Sequence, residues 1–87
     1  MTISFTENGW EDYSHWLDFD PDKEKKIREL LKDISRNPYK GLGKPEPLKG
    51  NLSGWWSRRI NDDHRLVYMI AGKEKKSILI NQCRFHY

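Results

Sequence analysis

Apolar positions recur with a helical period most clearly in one stretch of this chain, where Ile27, Leu30, Leu31 and Ile34 stand at i, i+3, i+4 and i+7. Asp20-Pro21 ahead of them supplies a cap and a first-turn proline, and Asn37-Pro38 ends the run, so a helix is predicted between these two breaks. Upstream, Thr2–Phe5 alternates polar and apolar, with Ile3 and Phe5 on one side, as a short half-buried strand does. Thr6 can cap the helix that follows, in which Trp10, Tyr13, Trp16 and Leu17 fall on one broad face and Glu7, Glu11, Asp12 and Asp18 elsewhere. His15, among these residues, reads as an ordinary surface or boundary histidine. The mixed-sign run Lys23-Glu24-Lys25-Lys26 reads as a solvated helix face.

Between residues 39 and 54 glycines and prolines forbid a long helix and shape a loop that carries Lys40, Lys44, Glu46 and Lys49. Beyond it, residues 55–60, 64–70 and 77–85 read as antiparallel strands joined by turns at Asn61-Asp62-Asp63 and at 72–76. Two N-terminal helices packed on an antiparallel sheet give an α+β architecture. No repeat or linker divides residues 1–87, which read as one domain.

A domain of 87 residues buries about two-thirds of the surface that its unfolded chain exposes, so no cofactor is expected inside it. Its core must rest on a few large side chains drawn from four Trp, four Tyr and three Phe. The first residues do not resemble a secretory signal, and the longest apolar run, 66–71, is too short to span a bilayer, so no membrane is expected. The single cysteine, Cys83, cannot form an internal disulfide, which suits a cytoplasmic location. Charge is segregated: residues 1–39 carry six Lys/Arg against nine Asp/Glu, and residues 40–87 carry ten against four, giving −3 and +6. If the fold gathers the basic half on one face, polyanions are the obvious partner; a solvated surface with a basic bias is the competing reading.

Cleaving RNA without a metal requires a base for the 2′-OH proton, cations for the charged phosphate and an acid for the departing 5′ oxygen. The basic half can supply all three. Glu46 is a lone carboxylate held between Pro45 and Pro47, which restrict its backbone and favour a fixed direction, although such proline pairs also stiffen loops without catalytic purpose. Arg58 and Arg59 should point to opposite faces of a strand, with Arg58 expected in a surface salt bridge. Arg65 shares a face with Val67 and Met69, compatible with a partly shielded guanidinium gripping a phosphate. His86 belongs to the residue type that exchanges protons near neutral pH, and Tyr87 brings a ring for base stacking. On a regular strand these two would face opposite ways, so they can share a site only if the chain bends.

Asp62-Asp63-His64 and Cys83-x-x-His86 contain ligand-type residues, but a zinc site wants about four ligands in paired motifs and there is no second cysteine. No metal site is expected, and Asp62-Asp63 is read as turn chemistry.

Lys44-Pro45-Glu46-Pro47-Leu48-Lys49, Asn51-Leu52-Ser53-Gly54, Trp56-Ser57-Arg58-Arg59-Ile60, His64-Arg65-Leu66-Val67-Tyr68 and the ending Cys83-Arg84-Phe85-His86-Tyr87 together closely resemble the Txe/YoeB family of the RelE superfamily. Gly9-Trp10, Asp12-Tyr13 and Trp16 fit as well, so the resemblance covers nearly the whole chain. It implies a RelE-like, microbial-ribonuclease-type α+β fold and the toxin of a type II toxin–antitoxin system. The activity implied is that of an endoribonuclease, dependent on the ribosome but not on metal, which cuts translated mRNA in the A site and so inhibits translation. The partners implied are a YefM-like antitoxin, the 70S ribosome with its mRNA, and a second copy in a homodimer. By position, the resemblance implies Glu46 as general base, His86 as general acid and Arg65 as phosphate and transition-state stabiliser, with Arg59 and Tyr87 in supporting contacts. Lys44, Lys49 and Arg84 are implied as weaker contacts to the RNA backbone.

Two departures stand out: Phe85 replaces a tyrosine common in the family, and the turn at 72–76 is longer and more basic than usual. Other readings of the same basic, aromatic half are a non-catalytic RNA- or ribosome-binding module and a face kept mainly for an acidic protein partner.

Overall fold

The computed structural model describes residues 1–86. Its elements run β1 (Thr2–Phe5), α1 (Glu7–Phe19), α2 (Pro21–Arg36), β2 (Glu46–Pro47), a 3-10 turn (Gly50–Leu52), β3 (Trp56–Arg59), β4 (Arg65–Ala71) and β5 (Ser77–Gln82).

Both helix starts form as their sequences dictate. The Thr6 hydroxyl accepts from the Gly9 N–H at 3.0 Å, and the Asp20 carboxylate accepts from the Lys23 N–H ahead of Pro21. Each such cap contributes about 1 kcal/mol. Ile27, Leu30, Leu31 and Ile34 bury the predicted face of α2 in a core with Leu66, Tyr68, Ile78 and Ile80, where each aliphatic side chain contributes about 1.5–3 kcal/mol.

Three expectations change. The sheet, ordered β1-β5-β4-β3-β2, is mixed, because β1 runs parallel to β5 from Thr2↔Ser77 to Phe5↔Ile80 while the other neighbours are antiparallel. Alternation in β1 fixes which side chains turn inward but not the direction of the strand it joins. The buried stripe of α1 is also rotated from the predicted one: Gly9 and Trp16 are buried, whereas Trp10 and Leu17 are 54% and 46% exposed. Gly9 sets this contact, since a Cβ there would collide with the Ile80 carbonyl, and Asp12 continues it by accepting from the Cys83 N–H at 3.1 Å. Trp10 is left on the rim, with its ring 5.4 Å from that of Phe5. Finally, Glu24 is not on a solvated face. It is buried, pairs with Arg28 and accepts from the Tyr13 hydroxyl at 2.9 Å; burial, then this carboxylate, pushes the Tyr13 hydroxyl up to about 12.

The helices cover one face of the sheet, taking in Trp56 and Arg58 of β3, Leu66, Tyr68 and Ile70 of β4, and Ile78 and Ile80 of β5. By strand alternation Ser57, Arg59, Arg65, Val67 and Met69 line the opposite face. Among the described residues, no helix is long and apolar enough to cross a membrane.

Candidate active site

The sheet face turned away from the helices acquires its chemistry from a short edge strand, although Ser57 and Val67 on it are themselves buried. Glu46 and Pro47 pair antiparallel with Ser57 and Trp56, an edge position that suits a proline with no N–H to donate. The approach to this strand is constrained: Gly43 (φ +79°) lies so close to β3 that a Cβ would press on the Arg59 backbone, and its carbonyl accepts from the Arg59 N–H at 2.7 Å. Lys44 follows in the left-handed region at φ 50°. The loop is therefore set against β3 just before it delivers Glu46.

Glu46 and Arg65 meet there, with Oε1 3.5 Å from Nη2. The Arg65 side chain is 12% exposed and that of Glu46 53%, so a shielded cation stands beside an accessible carboxylate. Arg65 Nε donates to the Ser57 hydroxyl at 2.5 Å, which fixes the plane of the guanidinium with Nη2 toward Glu46. Arg59 lies directly across the ladder from Arg65 and pairs with Asp62 in the adjoining turn. The partly shielded Arg65 expected from sequence is thus present, and Ser57 is the partner that sequence reasoning passed over. Its position two residues before Arg59, on the same face, was the available signal.

Arg58 corrects an expectation. It is an ion-pair residue, but not at the surface: its side chain is 0% exposed. Nη1 donates to Asp33 Oδ2 at 2.5 Å and to the Leu42 carbonyl at 3.1 Å, Nη2 to the carbonyls of Asn37 and Lys40, and Nε to the Tyr68 hydroxyl at 3.2 Å. Tyr68 in turn donates to the Pro38 carbonyl at 2.6 Å. All five N–H groups of this guanidinium are occupied within the protein. The Arg58 hydrogen bond holds the Asp33 carboxyl below its ordinary range. Arg58 therefore anchors the loop between α2 and β2 from beneath.

The chain end bends. β5 stops at Gln82 rather than continuing to residue 85, and Phe85 adopts φ 65°, the left-handed region. The Phe85 N–H donates to His64 Nδ1 at 2.8 Å, and its carbonyl accepts from the Arg65 N–H at 3.2 Å. His86, which is exposed, thus leaves a residue tied to the backbone of Arg65. Tyr87 lies outside the described residues.

Other candidates lie further out. Lys44 and Lys49 are exposed on the two sides of Glu46. Arg84 is half-buried, with its guanidinium 4.5 Å from the centre of the Phe85 ring and near Asp12 of α1. Turn chemistry at residues 61–63 belongs to Asn61, whose Oδ1 accepts from the N–H groups of Asp63 and His64, both at 2.9 Å. Among the described residues, no cluster of His, Cys, Asp and Glu has the grouping of a metal site. Burial pushes the Cys83 thiol up to about 12, which leaves it a poor nucleophile or ligand. Two surface hollows run along α2, both lined by Arg28 and Lys32. The pairing of an exposed carboxylate with a largely shielded guanidinium, flanked by exposed Lys44 and Lys49, suits a polyanion.

The family model for the YoeB-like toxin of bacterial type II toxin–antitoxin systems matches residues 5–87. The toxin YoeB of Streptomyces coelicolor is 55% identical over 87 residues, covering 100% of both chains. Among solved structures, a YoeB/ParE toxin from Agrobacterium tumefaciens superposes with a TM-score of 0.96 at 45% identity, covering 100% of both chains. Two Staphylococcus aureus structures, a YoeB–YefM complex and a YoeB dimer, give TM-scores of 0.89 and 0.88 at 45% and 46% identity, covering 100% of this chain and 98% of theirs. The α+β fold is RelE-like, and the chain belongs to the YoeB-like toxins of bacterial type II toxin–antitoxin systems.

Proposed function

We propose that this chain is an endoribonuclease that cuts translated mRNA in the ribosomal A site without a metal, and so inhibits translation. The observation that carries this reading is the Glu46–Arg65 pair: an accessible carboxylate 3.5 Å from a shielded guanidinium on the sheet face turned away from the helices.

In the proposed reaction Glu46 takes the proton of a 2′-OH, and the oxygen attacks the adjacent phosphorus. Arg65 holds the non-bridging oxygens as negative charge grows on them. His86 protonates the 5′ oxygen as its bond to phosphorus breaks, leaving a 2′,3′-cyclic phosphate and a free 5′-OH. Tyr87 completes this group, Arg59 adds a cation beside Arg65, and Lys44, Lys49 and Arg84 contact the RNA backbone. The ribosome's part is to hold the message in line with these groups, since positioning alone can supply several kcal/mol of the barrier reduction.

The likeness to a YoeB–YefM complex supports neutralisation of this chain by an antitoxin of the YefM kind, and the likeness to a YoeB dimer supports a homodimer. Activity on mRNA carried by 70S ribosomes implies a cytoplasmic setting.

The test is to incubate the purified protein with translating ribosomes in EDTA. Scission of ribosome-bound message, with far slower cutting of the same RNA when free, is expected. Salt-sensitive binding without scission would instead identify a binding module, and comparable cutting of free and bound RNA would overturn the dependence on the ribosome.

A further inference from the structure

The proposed acid, His86, lies beyond the last strand, so something must direct it. We infer that His64 is a positioning residue, whose imidazole holds the Phe85 turn and thereby sets the direction in which His86 leaves the sheet. This inference rests on the reading of His86 as the general acid.

Phe85 is the residue most in need of support. An aromatic side chain at φ 65° occupies a strained region in which it persists only when its surroundings enforce it. Two hydrogen bonds with consecutive residues of β4 and its entry do so: His64 Nδ1 accepts from the Phe85 N–H at 2.8 Å, and the Arg65 N–H donates to the Phe85 carbonyl at 3.2 Å. Without the first, the Phe85 N–H loses its partner and the turn is held only at its carbonyl. The residue that supplies the phosphate-binding guanidinium is therefore also half of the clamp that aims the acid, and His64 is the other half.

The imidazole is itself fixed. Its ring meets the Trp16 ring edge-on at 4.8 Å, and Trp16 Nε1 donates to the Cys83 carbonyl at 2.8 Å, so one tryptophan braces both the clamp and the chain leading to it. The His64 N–H donates to Asn61 Oδ1 at 2.9 Å, and its carbonyl accepts from Ile60 at 3.0 Å. An Nδ1 that accepts a hydrogen bond has no proton, so the ring is neutral with its proton on Nε2. The surroundings on balance favour this form: burial, the largest influence, opposes a positive charge, Asp63 favours one, and Lys23 of α2, Arg84 of the chain end and His15 of α1 oppose it. Protonation turns Nδ1 from acceptor to donor and breaks the clamp.

Two readouts test this separately from the catalytic reading. The first is single-turnover cleavage of ribosome-bound mRNA by wild type, His64→Ala and His64→Asn, with His86→Gln as reference. Asparagine puts Oδ1 near the position of Nδ1 and does not titrate. The expected result is a fall in the maximal single-turnover rate of about tenfold or more for His64→Ala with the half-saturating protein concentration within about twofold, because misplacing a group acts on the chemical step, and substantial recovery in His64→Asn. An unchanged maximal rate in His64→Ala, or no recovery in His64→Asn, overturns the inference.

The second readout is the hydrogen-exchange protection factor of the Phe85 amide in wild type and His64→Asn. Protection should be lost in wild type as pH falls through the titration of His64, which lies below the ordinary 6.5, and should persist in His64→Asn. Equal pH dependence in the two proteins sinks the inference, even if His64→Ala fails to fold. If His86→Gln cleaves as wild type does, the role of His86 as acid falls, while the Phe85 protection still decides whether His64 holds the turn.

Discussion

Arg58 and Arg65 stand one strand apart in the same sheet, and they are put to opposite uses. Arg58 faces the helices, is 0% exposed and commits all five donors to Tyr68, Asp33 and three loop carbonyls. Arg65 faces away from them, with Ser57 and Glu46 as its side-chain partners among the described residues. A guanidinium saturated by its own protein has nothing left for a ligand, whereas one held on a single side keeps donors for a phosphate. The same residue type is thus an internal strut on one face and a candidate catalytic cation on the other.

The largest effect should come from removing the strut. Arg58→Met deprives the Asp33 carboxylate and three loop carbonyls of their donor, and should lower stability by about 3–5 kcal/mol, read as a shift of the urea midpoint. A loss below about 1 kcal/mol would erase the distinction between the two arginines. Arg65→Met should do the reverse, reducing mRNA scission by roughly 10²–10³-fold while its urea midpoint stays close to that of wild type. Parallel losses of folding and activity would make Arg65 a second strut.

Acid sharpens the same contrast. The carboxyl of Asp33 titrates below its ordinary 3.8 because Arg58 bonds its charged form. Its contribution to stability is therefore full above that value and is lost as pH falls through the lower folded one. Urea unfolding from pH 5 downward should show this acid slope in wild type and a shallower one in Asp33→Asn. The smallest effect is expected far from both arginines: Thr6→Ala removes the α1 cap and should cost about 1 kcal/mol with cleavage unchanged, as checked by the same midpoint and rate.

How far the sequence disclosed this division depends on what periodicity can express. The i, i+3, i+4, i+7 pattern of α2 identified its buried residues because nothing but the core competes for that face. Alternation likewise separated Arg58 from Arg59, but it could not say which side the helices would cover, so the buried member was expected at the surface. In α1 large aromatic residues dominated the pattern, while the contact is set by Gly9, a residue without a side chain to register in it. The parallel entry of β1 depends on long-range pairing that alternation does not encode. Around the candidate site, Glu46 and Arg65 drew notice through their local setting and the family resemblance, whereas Ser57 and His64 act through hydrogen bonds to other segments. A bend near the chain end was posed by the sequence as a requirement, and one of the two hydrogen bonds that hold Phe85 comes from His64, 21 residues away.

The central claim is that the face turned away from the helices performs the chemistry, with Glu46 as its base. The most direct measurement is the single-turnover rate at which wild type and Glu46→Gln cut mRNA on translating ribosomes in EDTA, at equal ribosome occupancy. A fall of at least 10²-fold in the variant, with its urea midpoint unchanged, is the result predicted; cleavage by Glu46→Gln at the wild-type rate would contradict it.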